Sequence, residues 1–458
     1  MKTNVKAKTS RVKVVTHGGA STYEVGAKEQ LRRSVMSCLL WEDQHYEDGT
    51  SIAQRIADLI PKVKAVDVAA IAVEARHKMK LRHVPLLIVR EMARYESHRG
   101  LIAETLVSVI ERADELAEFL SIYWKDGKTP ISAQIKRGLA EAFKKFDEYA
   151  LAKYNRDSKV KLKDVLFMVH PKPDNKKQEK LWKKLIENKM EIPDTWETEL
   201  SAGKDKKKTF ERLIKEEKLG AMALLRNLRN MKESGVEPKL IFEALENANL
   251  KWVLPFRFIT AAKYAPQWES HIEKAMFKSL SQKPKLAGKT ILIVDVSGSM
   301  YGGTLSAKSE LNRAEVACSL AVLVRELCEE SAIYATAGND GSCIHKTKQV
   351  PDRHGFALSE AIYKMSSPLG GGGIFLTQVM DYVLAEEKNA DRVIVITDEQ
   401  DCDRGVRSPD KANAFGKHNY IVNVGSYKNG IAYKKKWTHI NGWSEAILDY
   451  VAVAENEA

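Results

Sequence analysis

Asp295, Ser297 and Ser299 stand at alternate positions directly after the apolar run ILIV, and Asp398 closes a second run, VIVIT. Carboxylates and hydroxyls are hard oxygen donors, and a hard cation such as Mg²⁺ takes an octahedron of such oxygens while keeping some of its waters. The spacing therefore predicts a divalent-cation site, Mg²⁺ first among candidates. Its solvated side would be open to a carboxylate or phosphate of a partner. A lone cation with hydroxyl ligands suits adhesion better than hydrolysis. The sequence holds no HExxH motif and no Ser, His and Asp around a nucleophile elbow, so no catalytic residues are expected. A metal-dependent nuclease using Asp295 and Asp398 is the enzymatic alternative. The four glycines Gly370–Gly373 fit neither GxGxxG nor GxxxxGK[ST], and they read as a mobile loop over the cation site rather than a phosphate cradle.

A second set of residues is cationic. The formal net charge is +12, and residues 286–458 hold 18 Lys and Arg against 22 Asp and Glu, a net of −4. Residues 1–285 therefore carry +16, which favours a polyanionic partner for that part of the chain. Three stretches concentrate the charge. Residues 153–173 carry Lys153, Arg156, Lys159, Lys161, Lys163, His170 and Lys172; residues 123–138 place Lys128, Lys136 and Arg137 around a helix start; Arg226 and Arg229 share a helix face in ALLRNLRNM. Each could be a solvated face, but Lys and Arg at helix ends also bind phosphates, with steep salt dependence. A His or Tyr among them can stack on an unpaired base.

The elements that must carry these residues follow from periodicity. From about residue 28 to 280 apolar residues recur at spacings of three and four, as in SIAQRIADLIPKV and LIAETLVSVIERADELAEFLSIYW, which is the stripe of an amphipathic helix. Short polar or Pro/Gly joints such as EDG and KDGKTP separate the stripes. Helix pairs built this way stack into a HEAT-like solenoid. The stretch SQKPKLAGKT, 281–290, reads as a linker. Beyond it, β-branched runs alternate with amphipathic helices, which implies a parallel sheet covered on both faces. Ligands of such sheets bind at the carboxyl ends of the strands, where Asp295 and Asp398 fall.

The expected organisation is thus a flexible basic arm at 1–19, an all-α HEAT-like domain at 20–285, and an α/β doubly wound domain at 286–458. The scattered Cys38, Cys318, Cys328, Cys343 and Cys402 argue against a disulfide framework or a zinc site. The basic N-terminus lacks the apolar core of a signal peptide, and no apolar run reaches the roughly 18 residues of a membrane helix. The expectation is a cytoplasmic chain with no membrane partner.

DVSGSM resembles the Asp-x-Ser-x-Ser motif of von Willebrand factor A domains, a Rossmann-like fold. That resemblance implies a cation held by Asp295, Ser297, Ser299 and Asp398, plus a threonine from a glycine-flanked loop. In LGGGGIFLTQ the glycines align Ile374 with that threonine, and Thr377, three residues later, is the substitute if the loop reshapes. The whole chain, from about residue 20, resembles the TROVE domain of Ro autoantigen proteins of bacterial or phage type. LRRSVMSCLLWED, EARHKMKLRHVPLLIVREMARY, KTPISAQIKRGLAEAF, DVLFMVHPKP and MALLRNLRNM carry the likeness. It implies a helical-repeat ring followed by an A domain, and a scaffold or RNA quality-control factor. Such a protein binds small noncoding Y-type RNA on its outer surface and admits 3′ single-stranded ends of misfolded RNA into a central opening. It also implies tethering through that RNA to a 3′→5′ exoribonuclease. An acidic protein is the implied partner of the A domain, and a monomer is expected. The family's RNA-contacting histidine falls on His170, and basic positions fall on Lys153, Lys161 and Lys163. One falls on Asp157, beside Arg156. Arg226 and Arg229 match a family motif whose role is RNA contact or the shaping of the ring. A protein-interaction module built on the A domain alone is the third reading.

Overall fold

The computed structural model describes residues 9–155, 158–250, 253, 255–281, 283–307, 309, 311–405, 408–433, 436–444 and 446–456. The chain divides into two compact units, Ala53–Gly203 on the one hand and Met1–Ile52 with Lys204–Ala458 on the other. This division cuts across the sequence-based boundaries. The first 52 residues and the helices after residue 204 cluster with the α/β part, for reasons given below.

The Ala53–Gly203 unit is helical. Ala65–His77 packs on Val84–Met92 and Ile102–Val109; Ile102–Val109 packs on Ala133–Phe143; and Ala133–Phe143 packs on Leu162–Val169. Helices next but one in the chain thus meet along the unit, as in a HEAT-like stack. The starts are set by caps: Ser132 accepts from Ile135 N, Asp147 from Ala150 N at 2.8 Å, and Asn175 from Gln178 N at 2.9 Å. The dense arginines of EARHKMKLRHVPLLIVREMARY face acids of their own unit. Arg76 holds Glu115 at 2.7 Å, Arg82 holds Asp114 at 2.6 Å, and Arg90 pairs with Glu91 and Asp126. These cations are partnered inside the unit, so the family-like stretch is structural here.

In the other unit, β1 (Thr9–Val15) and β2 (Ser21–Val25) form an antiparallel hairpin. Residues 9–19 therefore depart from the expected flexible arm. The turn between them is anchored, with Thr16 Oγ1 donating to the carbonyl of Asp401 at 2.6 Å. A six-stranded sheet follows, built of β3 (Leu286–Asp295), β4 (Cys328–Asn339), β5 (Ile344–Gln349), β6 (Arg392–Thr397), β7 (His418–Asn423) and β8 (Thr438–Asn441). Its order is β5-β4-β3-β6-β7-β8, with β5 antiparallel to β4 and every other pair parallel. The β-branched runs of β3 and β6 are fully buried, as a sheet covered on both faces requires. Strand β3 begins inside the expected linker, because Leu286 already pairs with Cys328. Helix Pro255–Tyr264 packs on Arg313–Leu327, and Glu273 accepts from Phe356 N at 2.7 Å. Those contacts tie the late helices to the α/β part.

Candidate nucleic-acid interface and cation site

Strands β3 and β6 are neighbours, with Val294 opposite Ile396, so Asp295 and Asp398 leave adjacent strands at the same end of the sheet. Both carboxylates are fully buried. Asp295 accepts from Ser297 N at 2.8 Å and from Thr397 Oγ1 at 2.6 Å, and the hydroxyls of Ser297 and Ser299 lie 3.3 Å apart. Asp398 accepts from Gln400 N at 3.1 Å, while its Oδ2 is buried without a hydrogen bond of ordinary geometry. Burial, and then the charge of Asp398, pushes Asp295 up to about 7. Burial also raises Asp398, against the opposing charge of Arg313. Two dehydrated carboxylates that resist ionising together, one with an orphaned oxygen, and two hydroxyls between them form a donor set that fits a divalent cation. Asp295, Ser297, Ser299 and Asp398 would hold it.

Thr377 stands apart from this set. Its hydroxyl donates to the carbonyl of Ser408 at 2.9 Å, and among the described residues no hydrogen bond joins it to the other four. Ile374, at the aligned position, is a core residue packed with Ile293 and Val395. The glycine loop lies against the site through its backbone: Gly372 accepts from Gly298 N at 3.1 Å and donates to Gly338 O at 3.0 Å. Gly370 and Gly371 adopt φ of 97° and 65° there, a left-handed conformation that glycine takes without strain. Among the described residues no group of three or more His, Cys, Asp or Glu side chains is placed to hold a metal, so the set rests on two carboxylates and hydroxyls.

Sequence reasoning missed what stands over the site. Burial, and then the charge of Asp398, pushes the phenol of Tyr46 up to about 12, against the opposing influence of the Ser299 side chain. His17 stacks on Tyr46 at 5.1 Å, and His45 meets it edge-on at 4.6 Å. His45 presses so closely on Gly302 that a Cβ there would fall 1.8 Å from its Nδ1. The buried Arg313, 5.7 Å from the Tyr427 ring, supplies a positive charge beside Asp398. The expected open side therefore faces residues 17 and 45–46 of this chain. No spacing rule links those positions to residue 295.

The elevated carboxylates predict a pH dependence. Between the ordinary carboxylate range and about 7, the folded state keeps protons that the unfolded state has lost, so this cluster's contribution to stability falls as pH rises through that window. In chelator, Asp295→Asn is expected to gain melting temperature relative to the parent at about pH 8 and not at about pH 4. Thermal shift measurements check this, and an equal gap at both values would contradict it.

The cationic candidates fall on several elements. Lys161 precedes helix Leu162–Val169, where its N–H donates to Asp164 at 2.9 Å; Lys163 lies in the first turn. His170 ends that helix, exposed, with φ 48°, and Lys172 follows it, also exposed. Lys153 closes helix Glu148–Tyr154, its ammonium 5.8 Å from the Tyr149 and Tyr154 rings. Lys136 and Arg137 are exposed on Ala133–Phe143, which packs against the His170 helix. Arg156 and Asp157 lie outside the described residues. Arg226 and Arg229 are exposed on helix Ala221–Glu233 in the other unit.

A further basic groove was legible but unread. Helix Lys176–Ile186 buries Trp182 and Leu185 and turns its lysines outward. Lys176, Lys177, Lys180 and Lys184 line a cavity of about 810 Å³ with the half-exposed Tyr149. The run KKQEKLWKK was its signal.

The chain thus carries a helical part and an α/β part, with strand-end carboxylates on the second and exposed cations on helices of the first. The TROVE domain family model matches residues 183–364. Among solved structures, the crystal structure of the Deinococcus radiodurans Ro (RSR) protein is similar, with a TM-score of 0.61 at 16% identity, covering 94% of this chain and 100% of that one. The partial sequence match and the shared fold agree with the resemblance stated above.

Proposed function

We propose that this chain is a non-catalytic RNA-binding protein that holds small noncoding Y-type RNA and the 3′ single-stranded ends of misfolded RNAs, as a scaffold or quality-control factor in the cytoplasm. The observation that carries this reading is the cationic surface of the Ala53–Gly203 unit. There Lys161, Lys163, His170 and Lys172 gather around one helix, and accessible lysines line the neighbouring groove. Such a surface gathers phosphates by releasing their counterions, and His170 or Tyr149 offers a ring on which an unpaired base can stack. An exoribonuclease tethered through the bound RNA, and a monomeric chain, complete the reading.

The α/β part serves a different ligand. A cation held by Asp295, Ser297, Ser299 and Asp398 would supply a Lewis-acidic point for an acidic side chain of a protein partner, Mg²⁺ being the ion of choice. Tyr46 and His45 must give way before that side chain can arrive. Asp295→Ala is therefore expected to leave RNA affinity within about twofold of the parent, since exposed phosphate contacts are largely local. Filter binding with labelled RNA checks this, and loss of binding in a still-folded variant would contradict it. In the same assay Mg²⁺ or Mn²⁺ should not shorten the RNA. Cleavage that Asp295→Ala abolishes would favour the nuclease instead.

A further inference from the structure

Helix Leu162–Val169 turns one side to the core and the other to solvent, and an aromatic ring stands on the solvent side. Leu162, Val165, Leu166 and Val169 are buried, with the three- and four-residue spacing of a core stripe. Phe167 falls outside that stripe and is 52% exposed. It is the only exposed phenylalanine among the described residues, so this ring is not held there by packing in the core. Among the described residues it meets no other ring and no cation. A single exposed apolar side chain is ordinary, but the neighbours of Phe167 are not. Lys163 lies four residues before it on the same face, and Lys161 precedes the helix. His170 closes the helix three residues after it, exposed, and the exposed Lys172 follows. Asp164 is the one carboxylate of this helix, and it is turned back to accept from the N–H of Lys161 at 2.9 Å. Helix Ala133–Phe143, with Lys136 and Arg137 exposed, packs against it. Cations that track a phosphate backbone and a bare ring among them are the two components of a single-strand site. Bases inside a duplex are already stacked on their neighbours, so only an unpaired base can use the ring.

We propose that Phe167 is the platform on which one unpaired base of the bound RNA stacks, while Lys161, Lys163 and Lys172 hold phosphates on either side of it. The ring thereby selects RNA in which a strand leaves its duplex at this helix. This platform rests on the RNA-binding reading above. It adds a preference for unpaired over paired RNA, which lysines alone do not give because both carry the same phosphates.

The test is filter binding of the full chain to two labelled RNAs, a stem with a single-stranded adenylate tail and the same stem as a blunt duplex, each at several salt concentrations. The parent is expected to bind the tailed RNA more tightly. Phe167→Ala should weaken the tailed RNA by about tenfold and the blunt duplex by less than about twofold. Its salt slope should equal the parent's, because no phosphate contact is lost; a lysine removed from the same face would lower the slope instead. Phe167→Trp should keep the parent's affinity, and Phe167→Leu, apolar but without a π face, should not. The ring lies outside the core, so the variants should melt with the parent. Should Phe167→Ala melt earlier, the Trp and Leu variants, which keep the bulk, decide. Tailed-RNA affinity indifferent to Phe167→Ala, an equal loss on both RNAs, or Phe167→Leu as good as the parent overturns the proposal. Steep salt-dependent binding by the parent with an indifferent Phe167→Ala removes the platform alone. A parent that binds neither RNA removes the RNA-binding reading, and the platform with it.

Discussion

Replacing Arg33 with alanine is expected to destabilise the unit that contains it by about 3–5 kcal/mol, the usual effect of stripping one partner from a buried ion pair. Arg33 lies on helix Ala27–Met36 and is fully buried. Its guanidinium reaches Glu399 at 2.5 Å, the Tyr433 hydroxyl at 2.6 Å and the Asn429 carbonyl at 2.9 Å. Burial opposes its charge, but Glu399 and Tyr433 outweigh burial and hold its pKa above the ordinary value. Burial would raise Glu399 too, yet Arg33 and His439 keep it low. Glu399 sits at φ 61°, a conformation that an unbranched acid holds only when its surroundings determine it. Without Arg33, Glu399 keeps His439 at 3.1 Å and the N–H of Ile431, too little for a charge sealed from water. A thermal or denaturant melt checks the loss. Glu399→Gln added to Arg33→Ala should recover part of it, because the stranded charge is then gone. A melt unchanged by Arg33→Ala would contradict this account of how the first 52 residues are held to the α/β part.

The second large effect is on RNA. His170→Ser combined with Lys161→Ala and Lys163→Ala is expected to weaken binding of structured RNA by about tenfold or more at moderate salt. Removing two phosphate contacts costs affinity and lowers the salt slope by about 0.9 for each. The substituted side chains are exposed or half-buried around Leu162–Val169, while Leu162, Val165, Leu166 and Val169 keep that helix in its core, so the melt should not move. Filter binding at several salt concentrations measures both quantities. Equal affinity and slope in parent and variant would remove this surface from the interface.

The contrast between Arg33 and Lys161 shows how far the sequence could be read. Helical periodicity up to residue 280 and the β-branched runs that end in Asp295 and Asp398 predicted the two kinds of architecture, because periodicity records which side chains are buried. Charge counting could not tell a phosphate-binding cation from a buried one. Arg33, Arg76 and Arg90 all contribute to the +16 of the first 285 residues, and all three are buried beside acids. For Arg33 that acid is 366 positions away, beyond the reach of any local rule. Long separation in sequence also hid Tyr46 and His45, which meet the Asp295 and Asp398 site only after folding. Strand β1 was lost for another reason: TSRVKVV alternates apolar and polar residues but carries the charge expected of a free arm. Thr377 was chosen by proximity to the glycines. Its carbonyl partner, Ser408, lies on a segment with no strand or helix signal of its own.

The central claim is that the basic helical surface, and not the strand-end carboxylates, brings RNA to this chain. Affinity for a labelled structured RNA, measured on the full chain from about 50 to 200 mM salt with and without Mg²⁺ in chelated samples, tests it most directly. The account predicts a linear fall of log affinity with log salt, steep enough to count several phosphate contacts and unchanged by the cation. Binding that ignores salt, or that appears only when Mg²⁺ is supplied, would contradict it.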